Sequence, residues 1–181
     1  MTKTSQLEYA LLALVKQEPR SGYDLRKLFA TTPMRHFSDS PGSIYPALRR
    51  LHARKWLSGS AETASARKRE EFRITKTGDR ALQEWLRRGV TREDVVWGLD
   101  EIILRFAFLD GNVERAVTLN FLEDMERELS AYTAELRDHM KGMPSGPPHT
   151  ATLAFEQGIE GYEAQLEWAR RIRKLLAEAQ Q

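Results

Sequence analysis

Arginine carries most of the chemistry this sequence offers. Arg49 and Arg50 are followed by Arg54 and Lys55, and Arg67, Lys68 and Arg69 form a second cluster. A guanidinium presents several N–H donors in a planar fork and stays charged at any ordinary pH, so such clusters suit phosphate oxygens. Ser43 and Tyr45, just ahead of the first cluster, add hydroxyls able to bond base edges or phosphates. Catalytic chemistry finds no comparable set. The four histidines, His36, His52, His139 and His149, are scattered without metal-ligand spacing, and read as surface or satisfied residues. With no cysteine, thiolate nucleophiles, disulfides and cysteine-bound metals are excluded. No two glycines stand one residue apart, which rules out a Gly-x-Gly phosphate loop and a Gly-x-Ser-x-Gly nucleophile elbow. The expectation is a protein without enzymatic activity, metal or cofactor.

The arginines are unevenly placed. Net charge is only +2 over 181 residues, yet residues 1–90 hold 18 Lys and Arg against 9 Asp and Glu, and residues 91–181 hold 10 against 17. A basic half joined to an acidic half suggests that one faces a polyanion while the other has a different task. The longest apolar run, Tyr9 to Val15, is seven residues, far short of the roughly 18 to 20 that span a bilayer. The N-terminus lacks a small-residue cleavage site after an apolar stretch, so the reading is no membrane span, no secretory signal and a cytoplasmic protein.

In the basic half, Leu7, Leu11 and Leu14 mark a first amphipathic helix ending at Glu18-Pro19-Arg20. Ser21 and Asp24 have capping-box spacing for a second helix, with Leu25, Leu28 and Phe29 as its apolar face. Ile44, Leu48 and Leu51 give a third. Proline is tolerated only in a first turn, so Pro46 predicts an N-cap near Ser43 and a helix running to about Lys55. Glu71-Phe72-Arg73-Ile74 alternates with period two and pairs with the segment after Trp56-Leu57 as a short hairpin tipped by Arg67-Lys68-Arg69. Thr75 is the candidate N-cap of a fourth helix, carrying Ala81, Leu82, Trp85 and Leu86 and stopped by Gly89.

The acidic half reads as three helices. Thr91 and Asp94 cap the first, whose apolar positions run from Val95 to Leu109. The next carries Leu122, Met125, Leu129, Tyr132 and Leu136 at heptad-like spacing. After a Gly- and Pro-rich linker, Phe155, Ile159, Tyr162, Leu166, Ile172 and Leu176 form a second stripe. An antiparallel pair of such helices shows more apolar edge than its members can cover, so these residues are expected to dimerise two chains. Trp97, near the junction of the halves, is the candidate for an effector pocket lined by aromatics.

Three helices, a basic-tipped hairpin and a further helix is the order of a winged helix-turn-helix. The fold class expected is therefore mainly α: residues 1–90 as a winged helix-turn-helix with a two-stranded wing, and residues 91–181 as a three-helix dimerisation domain with coiled-coil-like antiparallel helices. In that geometry the third helix enters the DNA major groove. Ser43, Tyr45, Arg49, Arg50, Arg54 and Lys55 then face the duplex, with Arg67, Lys68 and Arg69 reaching the backbone from the wing. Other readings stay open: a basic face is also what a solvated surface looks like, Tyr45 is equally placed as a core aromatic, and an adaptor could use the same face to bind an acidic protein.

Ser21-Gly22-Tyr23-Asp24-Leu25, the stretch from Ser40-Pro41-Gly42-Ser43-Ile44-Tyr45-Pro46 to Leu51, and Phe72-Arg73-Ile74-Thr75-Lys76-Thr77-Gly78 together resemble the PadR family of transcriptional regulators. The resemblance covers roughly residues 5–88, and the helices that follow are similar to the long, virulence-activator-like C-terminal form. It implies a homodimer that binds a palindromic operator in double-stranded DNA, usually as a repressor and often released by a small aromatic or drug-like effector. The wing departs from the family pattern: Ser65-Ala66-Arg67-Lys68-Arg69 stands where Gly-Arg-Pro is usual.

Overall fold

In the computed structural model of this chain, which describes residues 4–32, 41–59, 71–143 and 149–179, the capping signals become hydrogen bonds. Ser5 opens α1 (Gln6–Gln17) with a reciprocal cap: the Glu8 N–H donates to Ser5 Oγ at 3.3 Å and the Ser5 N–H to Glu8 Oε2 at 2.8 Å. Both amides belong to the set a helix start leaves without internal partners. Ala10 to Val15 are all buried, so α1 is surrounded on most sides by its unit. Ser21 caps α2 (Gly22–Thr31) as its spacing predicts, accepting from the Asp24 N–H at 3.2 Å and donating to Asp24 Oδ2 at 2.5 Å. Leu25 and Phe29 are fully buried, and Leu28 is half-buried.

The third helix differs from its sequence reading. α3 (Pro41–Ala53) begins two residues before Ser43 and carries Pro46 inside it. Pro41 takes the first helical position, where the missing N–H has no partner to lose. Pro46 then removes a single ladder bond, the one toward the Gly42 carbonyl, which the rest of the helix tolerates. Ile44, Ala47, Leu48 and Leu51 on α3 are completely buried. The helix closes in a Schellman turn: the Trp56 N–H donates to the Leu51 carbonyl at 3.0 Å and the Lys55 N–H to that of His52 at 2.9 Å, with Lys55 left-handed at φ 59°.

The hairpin forms as β1 (Leu57–Ser58) and β2 (Arg73–Ile74), antiparallel, with Leu57 opposite Ile74 and Ser58 opposite Arg73. A bridge from Arg20 to Phe72 extends it, the Phe72 N–H donating to the Arg20 carbonyl at 2.9 Å. Thr75 caps α4 (Lys76–Arg87), accepting from the Gly78 N–H at 3.1 Å while its hydroxyl donates to the Lys55 carbonyl at 2.7 Å. One threonine thus ties the start of α4 to the end of α3. A Cβ on Gly78 would lie 2.1 Å from the Trp56 carbonyl oxygen, so the same close approach demands glycine there. Tyr9 stacks on Trp85 with centroids 4.6 Å apart.

By internal contact the chain divides into two units, residues 1–86 and 87–181. In the second, Thr91 and Asp94 form the expected capping box. The single helix expected from Thr91 to Leu109 is instead two, α5 (Arg92–Trp97) and α6 (Leu99–Ala107). Gly98, at φ −140° and ψ 29°, ends one by donating to the Asp94 carbonyl at 2.8 Å and starts the other by accepting from Ile102 at 3.0 Å. Apolar periodicity continues across the break, which is why the pattern alone read as one element. α7 (Arg115–Lys141) and α8 (Thr150–Glu178) run antiparallel: the rings of Tyr132 and Tyr162 meet at 4.9 Å, those of His139 and Phe155 at 5.7 Å, and Arg173 reaches Glu126 at 2.6 Å. Among the described residues, the three helices expected in the acidic half are therefore four, and the mainly α class with a two-stranded wing holds.

Candidate nucleic-acid interface

On α3, at about 100° per residue, the four buried side chains occupy one side and Arg49 and Ala53 the opposite one, where both are exposed. Ser43 is exposed in the first turn. Tyr45 is more enclosed. It is half-buried, and a Cβ on Gly22 would come within 2.9 Å of its ring. Its ring therefore lies against the start of α2, and the glycine of Ser21-Gly22-Tyr23-Asp24 makes room for it.

The basic residues separate into two groups. Arg50 Nε lies 2.8 Å from Glu8 Oε1, and Arg54 Nη1 lies 3.6 Å from Glu8 Oε2 and donates to Thr4 Oγ1 at 2.9 Å. Arg54 also stands over the Trp56 ring, 5.4 Å from its centroid. Glu8 is only 1% exposed. A carboxylate that deep is tolerated because the two guanidinium groups and the Ser5 amide surround it. Arg49 pairs with no described residue, and Lys55 is exposed in the turn after the helix. Arg67, Lys68 and Arg69 lie outside the described residues. The sequence reading missed Glu8, although Ser5-Gln6-Leu7-Glu8 has the spacing of a capping box and marked it as structured.

In the second unit, the residues expected to dimerise divide by burial. Leu122, Met125, Leu129, Ile159 and Leu166 are buried in the unit's own core. Tyr132, Leu136, Phe155, Tyr162, Ile172 and Leu176 stay half-exposed, and Leu153 and Leu175, which the stripes did not include, are exposed. Trp97 is 84% exposed and sits at the end of α5, outside the core formed by the described residues of its unit. Phe106 packs edge-on to Trp168 at 5.1 Å and against Phe121 at 6.4 Å, an aromatic cluster that serves as core. Beneath it, Arg105 is fully buried, with Nη2 donating to the Arg88 carbonyl and its guanidinium 4.8 Å from the Phe121 centroid. Burial, then the like charge of Arg88, lowers its pKa to about 10, against the pull of Asp94 and Glu101; it remains a cation at neutral pH.

Comparison with known proteins adds to this geometry. The chain is 24% identical over 144 residues to the negative transcriptional regulator PadR of Bacillus subtilis (strain 168), covering 78% of each protein. Its structure is similar to crystal structures of Bacillus subtilis PadR in complex with operator DNA (23% identity, 96% of this chain and 99% of that one, TM-score 0.44) and with p-coumaric acid (22% identity, 96% and 100%, TM-score 0.44). Residues 11–84, from the core of α1 through the wing to α4, match the model of the transcriptional regulator PadR-like family. That matched segment is the one in which Gly22 seats Tyr45 and Gly78 seats the Trp56 carbonyl, and through it residues 11–84 of the chain are similar to the transcriptional regulator PadR-like family.

Proposed function

We propose that this regulator is a cytoplasmic homodimer that binds a palindromic operator through α3 and the wing, represses transcription, and performs no catalytic step. The observation that carries the reading is the outward side of α3. Its apolar side is locked into the core by Ile44, Ala47, Leu48 and Leu51, while Arg49, which pairs with no described residue, and Ser43 are exposed. A helix held in this way can lie in a major groove with its arginine against phosphate or base edges. Lys55 and, from the wing, Arg67, Lys68 and Arg69 complete the proposed contact. Repression is the role named for the Bacillus subtilis relative.

Dimerisation falls to the second unit. Tyr132, Leu136, Phe155, Tyr162, Ile172 and Leu176, with Leu153 and Leu175, leave apolar surface along α7 and α8 that a second copy would cover. Release by a small aromatic effector belongs to the same reading. The exposed indole of Trp97 offers a stacking face, and Trp97→Ala should weaken release of DNA when p-coumaric acid is used as the probe.

Selection of bound sequences from a random DNA pool tests the proposal and yields the site. With about four phosphates neutralised per subunit, log affinity should fall against log salt at a slope of roughly −7 for the dimer, and Arg49→Ala should flatten it by about 0.9 per subunit. Salt-independent binding, or capture of an acidic protein through this face with no footprint on any duplex, would refute it.

A further inference from the structure

We infer that Glu8 is a positioning residue for DNA binding: it holds Arg50 and Arg54 against α1, withholds their charge from phosphate, and leaves Arg49 as the arginine that α3 presents to a duplex. The inference rests on the duplex-binding reading above. Arg50 and Arg54 are four residues apart, on one edge of α3, and both turn toward the same carboxylate. Oε1 of Glu8 takes Arg50 Nε at 2.8 Å, and Oε2 is shared between the Ser5 N–H at 2.8 Å and Arg54 Nη1 at 3.6 Å.

The competition is unequal. Glu8 is 1% exposed, whereas the side chains of Arg50 and Arg54 are 48% and 25% exposed. A phosphate that recruited Arg50 would strip a buried carboxylate of its nearest cation, and leaving a buried charge short of partners costs more than a solvent-screened contact returns. Arg49 has no such tie to any described residue. The geometry therefore sorts adjacent arginines into one that braces α3 and one that meets DNA, a distinction the dipeptide Arg49-Arg50 does not display.

The test is a double-mutant cycle on the full chain, read as the salt dependence of binding to a labelled random-sequence duplex. Glu8→Gln keeps an oxygen for the Ser5 amide, as a capping box accepts glutamine, and removes only the charge. It should steepen the slope by about 0.9 per protomer for each arginine released, a further three- to fourfold loss of affinity between about 50 and 200 mM salt. Arg50→Ala should leave the slope unchanged in the wild-type background but flatten it in the Glu8→Gln background, whereas Arg49→Ala should flatten it in both. Loss of fold alone does not move the slope, and circular dichroism reports it separately. If Glu8→Gln does not fold, Arg50→Ala against Arg49→Ala in the wild type decides. Equal flattening by Arg50→Ala in both backgrounds, or by both alanine variants in the wild type, overturns the inference while leaving duplex binding intact. A wild-type protein without salt-dependent duplex binding overturns both.

Discussion

Arginine serves opposite ends in the two units. In the second, four guanidinium groups are closed against carboxylates: Arg92 on Glu135, Arg137 on Glu163 at 2.6 Å, Arg173 on Glu126 at 2.6 Å, Arg127 on Asp124 at 2.7 Å. Hydrogen bonding to those partners raises the pKa of all four arginines. Three of the pairs tie α5 to α7 or α7 to α8, so the charge is consumed inside the unit. On α3 of the first unit, one buried carboxylate holds Arg50 and Arg54 while Arg49 is left outward. Counting lysines and arginines gives the sign of each half. Pairing decides which charges a polyanion can use.

The largest expected effect breaks the comparison at its support. Leu48→Ala should cost about 2 to 5 kcal/mol of stability, since Leu48 is fully buried under α3. Denaturant unfolding measures the loss, and duplex binding should fall with it. Retained binding by an unfolded α3 would remove this helix from the interface. Lys55→Gly should act in two directions at once. It relieves a left-handed backbone of about 1 kcal/mol, raising the melting temperature, and it deletes a proposed phosphate contact, flattening the salt slope by about 0.9 per subunit.

Arg173→Ala sharpens the contrast from the other side. The Arg173 side chain of this pair is 44% exposed and water screens its charge, so stability should drop by less than about 1 kcal/mol, with no change in duplex affinity or salt slope. The smallest effect is on acid stability. Arg137 hydrogen-bonds Glu163 and holds its carboxyl below the ordinary value of 4.5. Its contribution is therefore complete above that value and disappears as pH falls through the lower folded value. Thermal melts of the wild type should show this loss in acid, and Arg137→Gln should lack that component.

Local signals were legible where one short stretch contained the whole interaction. Ser21 with Asp24, Thr75, and Thr91 with Asp94 capped the helices their spacing indicated, because a cap needs only three residues of reach. Ile44, Leu48 and Leu51 marked the buried side of α3 for the same reason. Gly98 was not read as a break, since Val95 and Ile102 keep helical phase across it. Pro46 is a misleading start signal here, because Pro41 begins the helix more than one turn earlier and leaves Pro46 inside it. Within the stripes of α7 and α8, periodicity found the apolar positions but not which of them their own unit would bury.

From the sequence by itself came the caps, the apolar sides of the helices, the wing and the basic character of the first half, all set by residues within a turn or a strand of one another. Tertiary structure alone decided that Glu8 would meet Arg50 across 42 residues, that Tyr45 would rest on Gly22, and that Arg49 would pair with no described residue. Such pairings depend on how one helix is rotated against another. That rotation is chosen by the whole core, in which Leu11, Leu25, Leu48 and Leu82 are buried together, and no local spacing encodes it.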